Sequence, residues 1–179
     1  NTQVLNGRPF VADLERVTGV ALRVANDANC FALAEATLGA ARGYGVVFGI
    51  ILGTGVGGGI VVDGRVLNGR HGIAGEWGHN PLSGEVLGYS GRRGIVETVI
   101  SGPALEAFYR EATGRPERLD RIAELADEGD VAAKQTLWRL RSEFGRGLGA
   151  IVNLLDPDAV VIGGGVGTLD LLYDDETRR

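Results

Sequence analysis

The stretch from Tyr44 to Asp63, YGVVFGIILGTGVGGGIVVD, limits the possible folds of this chain more than any other. Two apolar, β-branched runs, Val46–Leu52 and residues 60–62, flank a loop that is almost all glycine: Gly53, Thr54, Gly55, Val56, Gly57, Gly58 and Gly59. The runs read as buried strands. Glycines in such number leave backbone N–H groups uncovered by side chains and permit positive φ. Successive uncovered N–H groups make a concave nest that suits a phosphate.

Gly53, Gly55 and Gly58 also fit G-x-G-x-x-G. A dinucleotide fold would need a helix after those glycines, its N-terminus aimed at the pyrophosphate. Here a second strand follows, and Val62-Asp63-Gly64-Arg65-Val66 then turns as a hairpin does. G-x-x-x-x-G-K-[ST] is absent. A strand–glycine loop–strand hairpin that holds phosphate is the arrangement of the sugar kinase, actin and Hsp70 type of ATPase core. A hairpin that only turns needs one or two glycines, so the cluster favours the phosphate role.

The remainder of the chain reads as alternating helix and strand. Helices are expected over residues 8–18, 27–41, 101–113, 119–127 and 130–155, and strands over 20–25 and 159–162. Phe31, Ala34, Leu38 and Ala41 give the second helix its spacing. Residues 68–95 show little periodicity and much Gly, His, Trp and charge, the mark of a functional irregular segment. Hairpin pairing within a helix–strand alternation predicts a mixed α/β sheet with helices on its faces. The 30 glycines among 179 residues are about twice the average share, and their clustering predicts tight backbone approaches to a ligand. A net charge of -5 without a basic block argues against a nucleic-acid or anionic-membrane surface. No signal peptide or spanning apolar run is visible, and the single cysteine, Cys30, fits a reducing cytoplasm. Cys30 is expected as a small buried residue of its helix.

Three groups could do chemistry. Asp27 falls where a strand ends and a helix begins, where a carboxylate can take the proton of an attacking alcohol. The same position suits a helix cap, and the tetrapeptide Asn26-Asp27-Ala28-Asn29 leaves both roles open. Asn26 offers a donor and an acceptor to a sugar hydroxyl. Gly75-Glu76-Trp77-Gly78-His79 places a carboxylate and an imidazole three apart, able to hold vicinal hydroxyls, although Glu-x-x-His is by itself a weak signal. Gly91-Arg92-Arg93-Gly94-Ile95-Val96-Glu97 alone reads as a basic turn before a helix.

Taken in order, Asn26–Asn29, the glycine hairpin, Gly75–His79, Gly91–Glu97 and Asp156-Pro157-Asp158 through Gly163-Gly164-Gly165 resemble the ROK family of bacterial sugar kinases and sugar-responsive repressors. Thr2-Gln3-Val4-Leu5-Asn6-Gly7-Arg8-Pro9 and Glu76-Trp77-Gly78-His79-Asn80-Pro81-Leu82 are closest to the fructokinase/manno(fructo)kinase branch, with N-acetylglucosamine kinase a near relative. The resemblance implies an actin-like, ribonuclease H-like ATPase fold with two lobes closing over a sugar. It implies Asp27 as general base, and Asn26, Glu76, His79 and Glu97 as sugar ligands. It implies Gly53, Thr54, Gly55, Gly57, Gly58 and Gly59 around ATP phosphates, Thr54 near the γ-phosphate, and Gly163, Gly164 and Gly165 against the adenosine. Mg²⁺, a homodimer and phosphorylation of the 6-hydroxyl of fructose or mannose complete the expectation, with N-acetylglucosamine or glucose as the alternative sugar. A sugar-sensing repressor or a catalytically decayed sugar binder is the alternative of another class.

The sequence departs from the family pattern twice. After the histidine, kinases of this family carry C-x-C-G-x-x-G-C-x-E, whose three cysteines and that histidine bind zinc. Gly88, Ser90 and Ile95 occupy the cysteine positions here, so His79 alone remains and zinc is expected to be absent. Ile95 is expected to substitute an apolar contact. The family's first phosphate loop, D-x-G-G-T-K, is also not in the sequence, which reads as a fragment: residues 1–25 the end of an N-terminal lobe and inter-lobe region, residues 26–179 a truncated C-terminal lobe.

Overall fold

In the computed structural model, which describes residues 6–82, 88, 91 and 93–174, a four-stranded mixed sheet carries helices on both faces. β1 (Val46–Leu52) is central, antiparallel to β2 (Val56–Val62) and parallel to β4 (Ala159–Gly163). β3 (Arg65–Val66) pairs with β2 at the edge, giving the order β3-β2-β1-β4. Asp63 and Gly64 link β2 to β3 with φ of 48° and 73°. Two consecutive positive φ values are what a type I′ hairpin turn needs, and Asp-Gly tolerates them.

Alternation along β1 divides the core. Phe48, Ile50 and Leu52 are fully buried on one face, against α3 (Val96–Ile100), α4 (Gly102–Thr113), α5 (Leu119–Asp127) and α6 (Val131–Leu155). Trp77, Tyr109, Leu140 and Phe144 complete that layer. Val47 and Val61 face the other way, against Ala32 of α2 (Asp27–Thr37). α1 (Phe10–Thr18) buries none of its residues, and Gly19 ends it at φ 68°.

The glycines of the hairpin serve a purpose the sequence did not disclose. The turn between β1 and β2 is only Gly53-Thr54-Gly55, because β2 starts at Val56, so Gly57, Gly58 and Gly59 are strand residues. None of these five glycines has positive φ. Gly57 and Gly59, like Gly49 in β1, are bare because α2 lies almost on the strands. A Cβ on Gly49 would stand 2.7 Å from the Ala32 Cβ, and one on Gly59 2.6 Å from the Ala28 carbonyl oxygen. Gly49 and Gly59 are cross-strand partners, so both strands are stripped at the same point under the helix. Gly58 faces the other layer, where a Cβ would meet Trp77 at 2.7 Å.

Other expectations shift for local reasons. Residues 20–25 form no strand; Val20 and Val24 are exposed, and the Leu22 N–H is taken by a Glu15 carboxylate oxygen at 2.9 Å. α2 stops at Thr37, with Leu38 exposed just beyond it, and its sheet-facing residues are Ala28 and Ala32. Cys30 is exposed, away from those residues. The helix expected at 101–113 is preceded by a separate short one, α3, with buried Ser101 at the junction. The helices expected at 119–127 and 130–155 agree with α5 and α6 to within a residue.

Asp130 holds the join between α4, α5 and α6. It caps α6 by accepting from the Ala133 N–H at 2.9 Å, pairs with Arg115 at 2.6 Å, and accepts from the Tyr109 hydroxyl at 3.3 Å. The Ala133 amide first, and then the Arg115 guanidinium, hold its carboxyl below the usual aspartate range. A depressed value in the folded state means stability that is present above the unfolded value and lost as pH falls through the folded one. Asp130→Asn should therefore be less stable than the parent at neutral pH, the gap narrowing below the ordinary aspartate value of 3.8, read by urea unfolding at a series of pH values. Gly59→Val should destabilise by about 3 kcal/mol or more in the same assay, since neither α2 backbone nor β2 can yield cheaply.

Candidate active site

The site lies at the C-terminal ends of the parallel strands β1 and β4, where α/β sheets commonly bind ligands. Close packing of α2 on the bare strands brings its N-terminus over the Gly53-Thr54-Gly55 turn. Asn26 is the helix cap: its Oδ1 accepts from the Asn29 N–H at 3.1 Å. Its Nδ2 then remains for the cavity, within 3.5 Å of Glu76 Oε1. With the cap supplied by Asn26, Asp27 uses only Oδ1 locally, accepting from the Ala28 N–H at 2.9 Å. Its other oxygen has no hydrogen bond among the described residues.

Trp77 fixes the second group. Its indole Nε1 donates to the Gly57 carbonyl at 3.0 Å, and its ring packs edge-on against Phe48 and Phe144, centroids 5.9 and 6.1 Å away. The chain around it has no room for side chains. A Cβ on Gly78 would sit 2.0 Å from the Val56 carbonyl oxygen, and Gly75 has φ 91°. Glu76 and His79 therefore stand on either side of a buried anchor, their carboxylate and imidazole 3.9 Å apart. Trp77 has no role in the sequence reading; an aromatic set among glycines in an irregular segment was the available signal.

Glu97 comes from the first turn of α3. A short antiparallel contact delivers it: Pro81 bridges Ile95, the Leu82 N–H donates to the Gly94 carbonyl, and the Val96 N–H donates to the Asn80 carbonyl. Ile95 is 1% exposed, so this former cysteine position is an apolar peg in the core. Glu97 Oε2 accepts from the Val56 N–H at 3.1 Å.

A cavity of ≈ 490 Å³, lined by Ser101, Pro103, Phe108 and Arg139, reaches Thr54 and Glu97 from the helical layer, and two further cavities meet at Gly53 and Thr54. One, of ≈ 400 Å³, collects Asn26, Asp27, Glu76, His79 and Glu97 with Gly53, Thr54, Gly55 and Gly57. Ile51 and Val56 form its apolar floor. The other, of ≈ 390 Å³, is bounded by Gly53, Thr54, Gly102, Arg118, Gly165 and Thr168. Gly53 and Thr54 belong to both. Gly58 and Gly59 line neither, for they face Trp77 and α2. Gly163 and Gly164 are also packing residues. A Cβ on Gly163 would strike the Phe31 ring at 2.8 Å, and Gly164, at φ 90°, lies against the Leu52 carbonyl. Arg118 and Thr168 carry no motif, and only the fold brings them beside Gly165.

A mixed sheet with flanking helices and a glycine turn between two cavities defines the sugar-kinase class of the actin-like ATPase fold. The chain belongs to the ROK family, whose family model matches residues 1–179. It is 39% identical over 194 residues to the N-acetyl-D-glucosamine kinase of Erwinia tasmaniensis, a match covering all of this chain and 63% of that protein. The structure superposes on the ROK hexokinase from Thermus thermophilus with a TM-score of 0.82 and 38% identity, over 88% of this chain and 53% of that one. A ROK family glucokinase from Streptomyces griseus, in complex with glucose and AMPPNP, gives 0.81 at 32% identity, over 92% of this chain and 60% of that one. The chain thus spans less than two thirds of the length of these relatives. The fructokinase/manno(fructo)kinase branch is not singled out by these matches.

The donor set does not fit the family's zinc. Gly88 offers no side-chain donor and Ile95 is a hydrocarbon, while Ser90 lies outside the described residues. No group of three His, Cys, Asp or Glu side chains converges among the described residues. Metal analysis of the full-length gene product should give well below one zinc per chain; about one would overturn that expectation. Trp77→Ala should cost roughly 3–5 kcal/mol in urea unfolding, because it opens a core cavity and orphans the Gly57 carbonyl.

Proposed function

We propose that this ROK protein transfers the γ-phosphoryl group of ATP to a hydroxyl of a hexose. One observation carries the reading: the Gly53-Thr54 turn is the common wall of a cavity lined by carboxylates, amide and imidazole and of a cavity lined by Gly165 and Arg118. A sugar in the first and a nucleotide in the second would meet at that turn. Asp27 then serves as general base, its free oxygen taking the proton of the attacking 6-hydroxyl. Asn26, Glu76, His79 and Glu97 orient the ring, while the N–H groups of Thr54 and Gly55 face the developing phosphoryl charge. An oxygen-rich pocket with Asp27 and Glu97 beside Thr54 would suit a hard ion such as Mg²⁺, which would supply positive charge against the transferring phosphoryl group. Gly165, beside Arg118 and Thr168, is the member of its triplet that suits contact with the adenosine.

The sugar we favour is N-acetylglucosamine or glucose, ahead of fructose or mannose, because the curated relatives are N-acetyl-D-glucosamine kinases. The protein is proposed to act as a cytoplasmic homodimer without nucleic acid, in line with its single cysteine and acidic balance. No helix among the described residues is long and apolar enough to cross a membrane. Residues 26–179 are proposed as part of a catalytic lobe and residues 1–25 as inter-lobe chain, since α1 buries nothing and the core begins at Ala28.

The test is a coupled ATP-consumption assay on the full-length gene product with Mg²⁺ and four sugars side by side. Turnover should be highest on N-acetylglucosamine or glucose. Faster turnover on fructose or mannose would reverse the sugar assignment. Sugar binding without any turnover would favour the sensor or decayed binder. Asp27→Asn should lower kcat by about 10²–10⁴ and leave the sugar Kd within about threefold.

A further inference from the structure

Glu97 lies against the glycine turn in a way that its expected role as a sugar ligand does not require. It is half-buried and lines the carboxylate cavity, yet its Oε2 is committed to the Val56 N–H at 3.1 Å. Val56 is the first residue of β2 and 5% exposed, so that N–H has little access to water. A buried donor left without an acceptor is costly, and a charged acceptor is the strongest available. The same oxygen would stand 2.8 Å from a Cβ on Gly55, so it lies against the turn itself. The turn has few other supports. Gly53 N–H donates to the Gly55 carbonyl at 3.0 Å, and the Gly53 carbonyl accepts from the Gly102 N–H, the first residue of α4, at 2.8 Å. α3 and α4 thus grip the turn from one side, α3 through Glu97 at its Val56 end and α4 through Gly102 at its Gly53 end. Thr54 remains exposed between them.

We propose that Glu97 is a positioning residue for the phosphate turn: its carboxylate fixes the Val56 amide and so holds Gly53-Thr54-Gly55 ready for the nucleotide before any sugar arrives. The inference rests on the kinase reading for its purpose, but the contact it invokes does not. A hexose hydroxyl would then meet the remaining oxygen of a carboxylate already fixed by the turn.

The test compares the full-length protein with Glu97→Ala and Glu97→Gln, both without sugar. Amide hydrogen exchange reads the turn, and titration with a non-hydrolysable ATP analogue and Mg²⁺ reads its use. In Glu97→Ala, exchange over residues 53–57 should quicken about tenfold while β1 and α6 keep their protection, and the analogue's Kd should weaken about tenfold. Glu97→Gln, which keeps a neutral acceptor, should fall between. If Glu97 only holds sugar, exchange at 53–57 and the sugar-free Kd will both stay at the parent's values, and the proposal is overturned. Exchange that quickens throughout the chain would equally overturn it, since that marks a general stability role. A parent protein that fails to bind the analogue, yet shows the local exchange response, would support the positioning contact and sink the kinase reading.

Discussion

Everything in this site depends on how closely one helix can approach one pair of strands. α2 lies over β1 and β2 at a point where Gly49 faces Gly59 across the ladder and Ala32 faces both. No side chain larger than hydrogen fits on the strands there, and none much larger than methyl fits on the helix. Interiors are packed as densely as organic crystals, so a gap this thin is specified by residue size alone. The thin gap brings the α2 N-terminus, with Asn26 and Asp27, over the turn that β1 and β2 make. The geometry of the candidate site is a consequence of omitted side chains.

The second constraint is the anchoring of irregular chain. The described residues between 68 and 82 contain little regular structure, yet Glu76 and His79 are held because Trp77 between them is buried and hydrogen-bonded to β2. The family pattern described above would staple that segment with zinc. In this chain a buried Ile95, bridged to Pro81, and the Trp77–Phe48–Phe144 cluster sit where such a staple would act. Apolar burial is less directional than metal ligation, but here it is fixed on two sides by backbone hydrogen bonds at Leu82 and Val96. His79 and Glu97 are thereby brought to one cavity without a thiolate.

The turn itself is shared property. Gly53 and Thr54 border both the carboxylate cavity and the cavity at Gly165. Its supports come from distant parts of the chain: Glu97 and Gly102 from the helical layer, with Gly165 at the end of β4 alongside. If the turn takes phosphate as proposed, supports of this kind lessen the reorganisation needed when charge develops on it, which is the condition under which electrostatic stabilisation is most effective.

By itself the sequence determined the class of sheet, the hairpin, the long helices α5 and α6, and the members of the site. Hydrophobic period and turn chemistry are local properties, and Asp63-Gly64 or the run from Val131 to Leu155 announces itself within a few residues. It also carried the family pattern, because Asp27, Glu76, His79 and Glu97 each sit in a short, ordered motif. It did not reveal why the glycines are there. Gly57, Gly58 and Gly59 look like loop until α2 and Trp77 are placed against them, and the packing of Gly163 on Phe31 and of Gly164 on the Leu52 carbonyl is equally invisible in the sequence. Nor could it say which residue caps α2; the structure gives that role to Asn26 and leaves one Asp27 oxygen without a hydrogen bond among the described residues. Residues 20–25 have strand composition but gain no ladder, since pairing is decided by neighbours and not by the segment. Only the tertiary structure decided these points, because a glycine records the absence of a side chain and the sequence does not say what occupies the space it leaves.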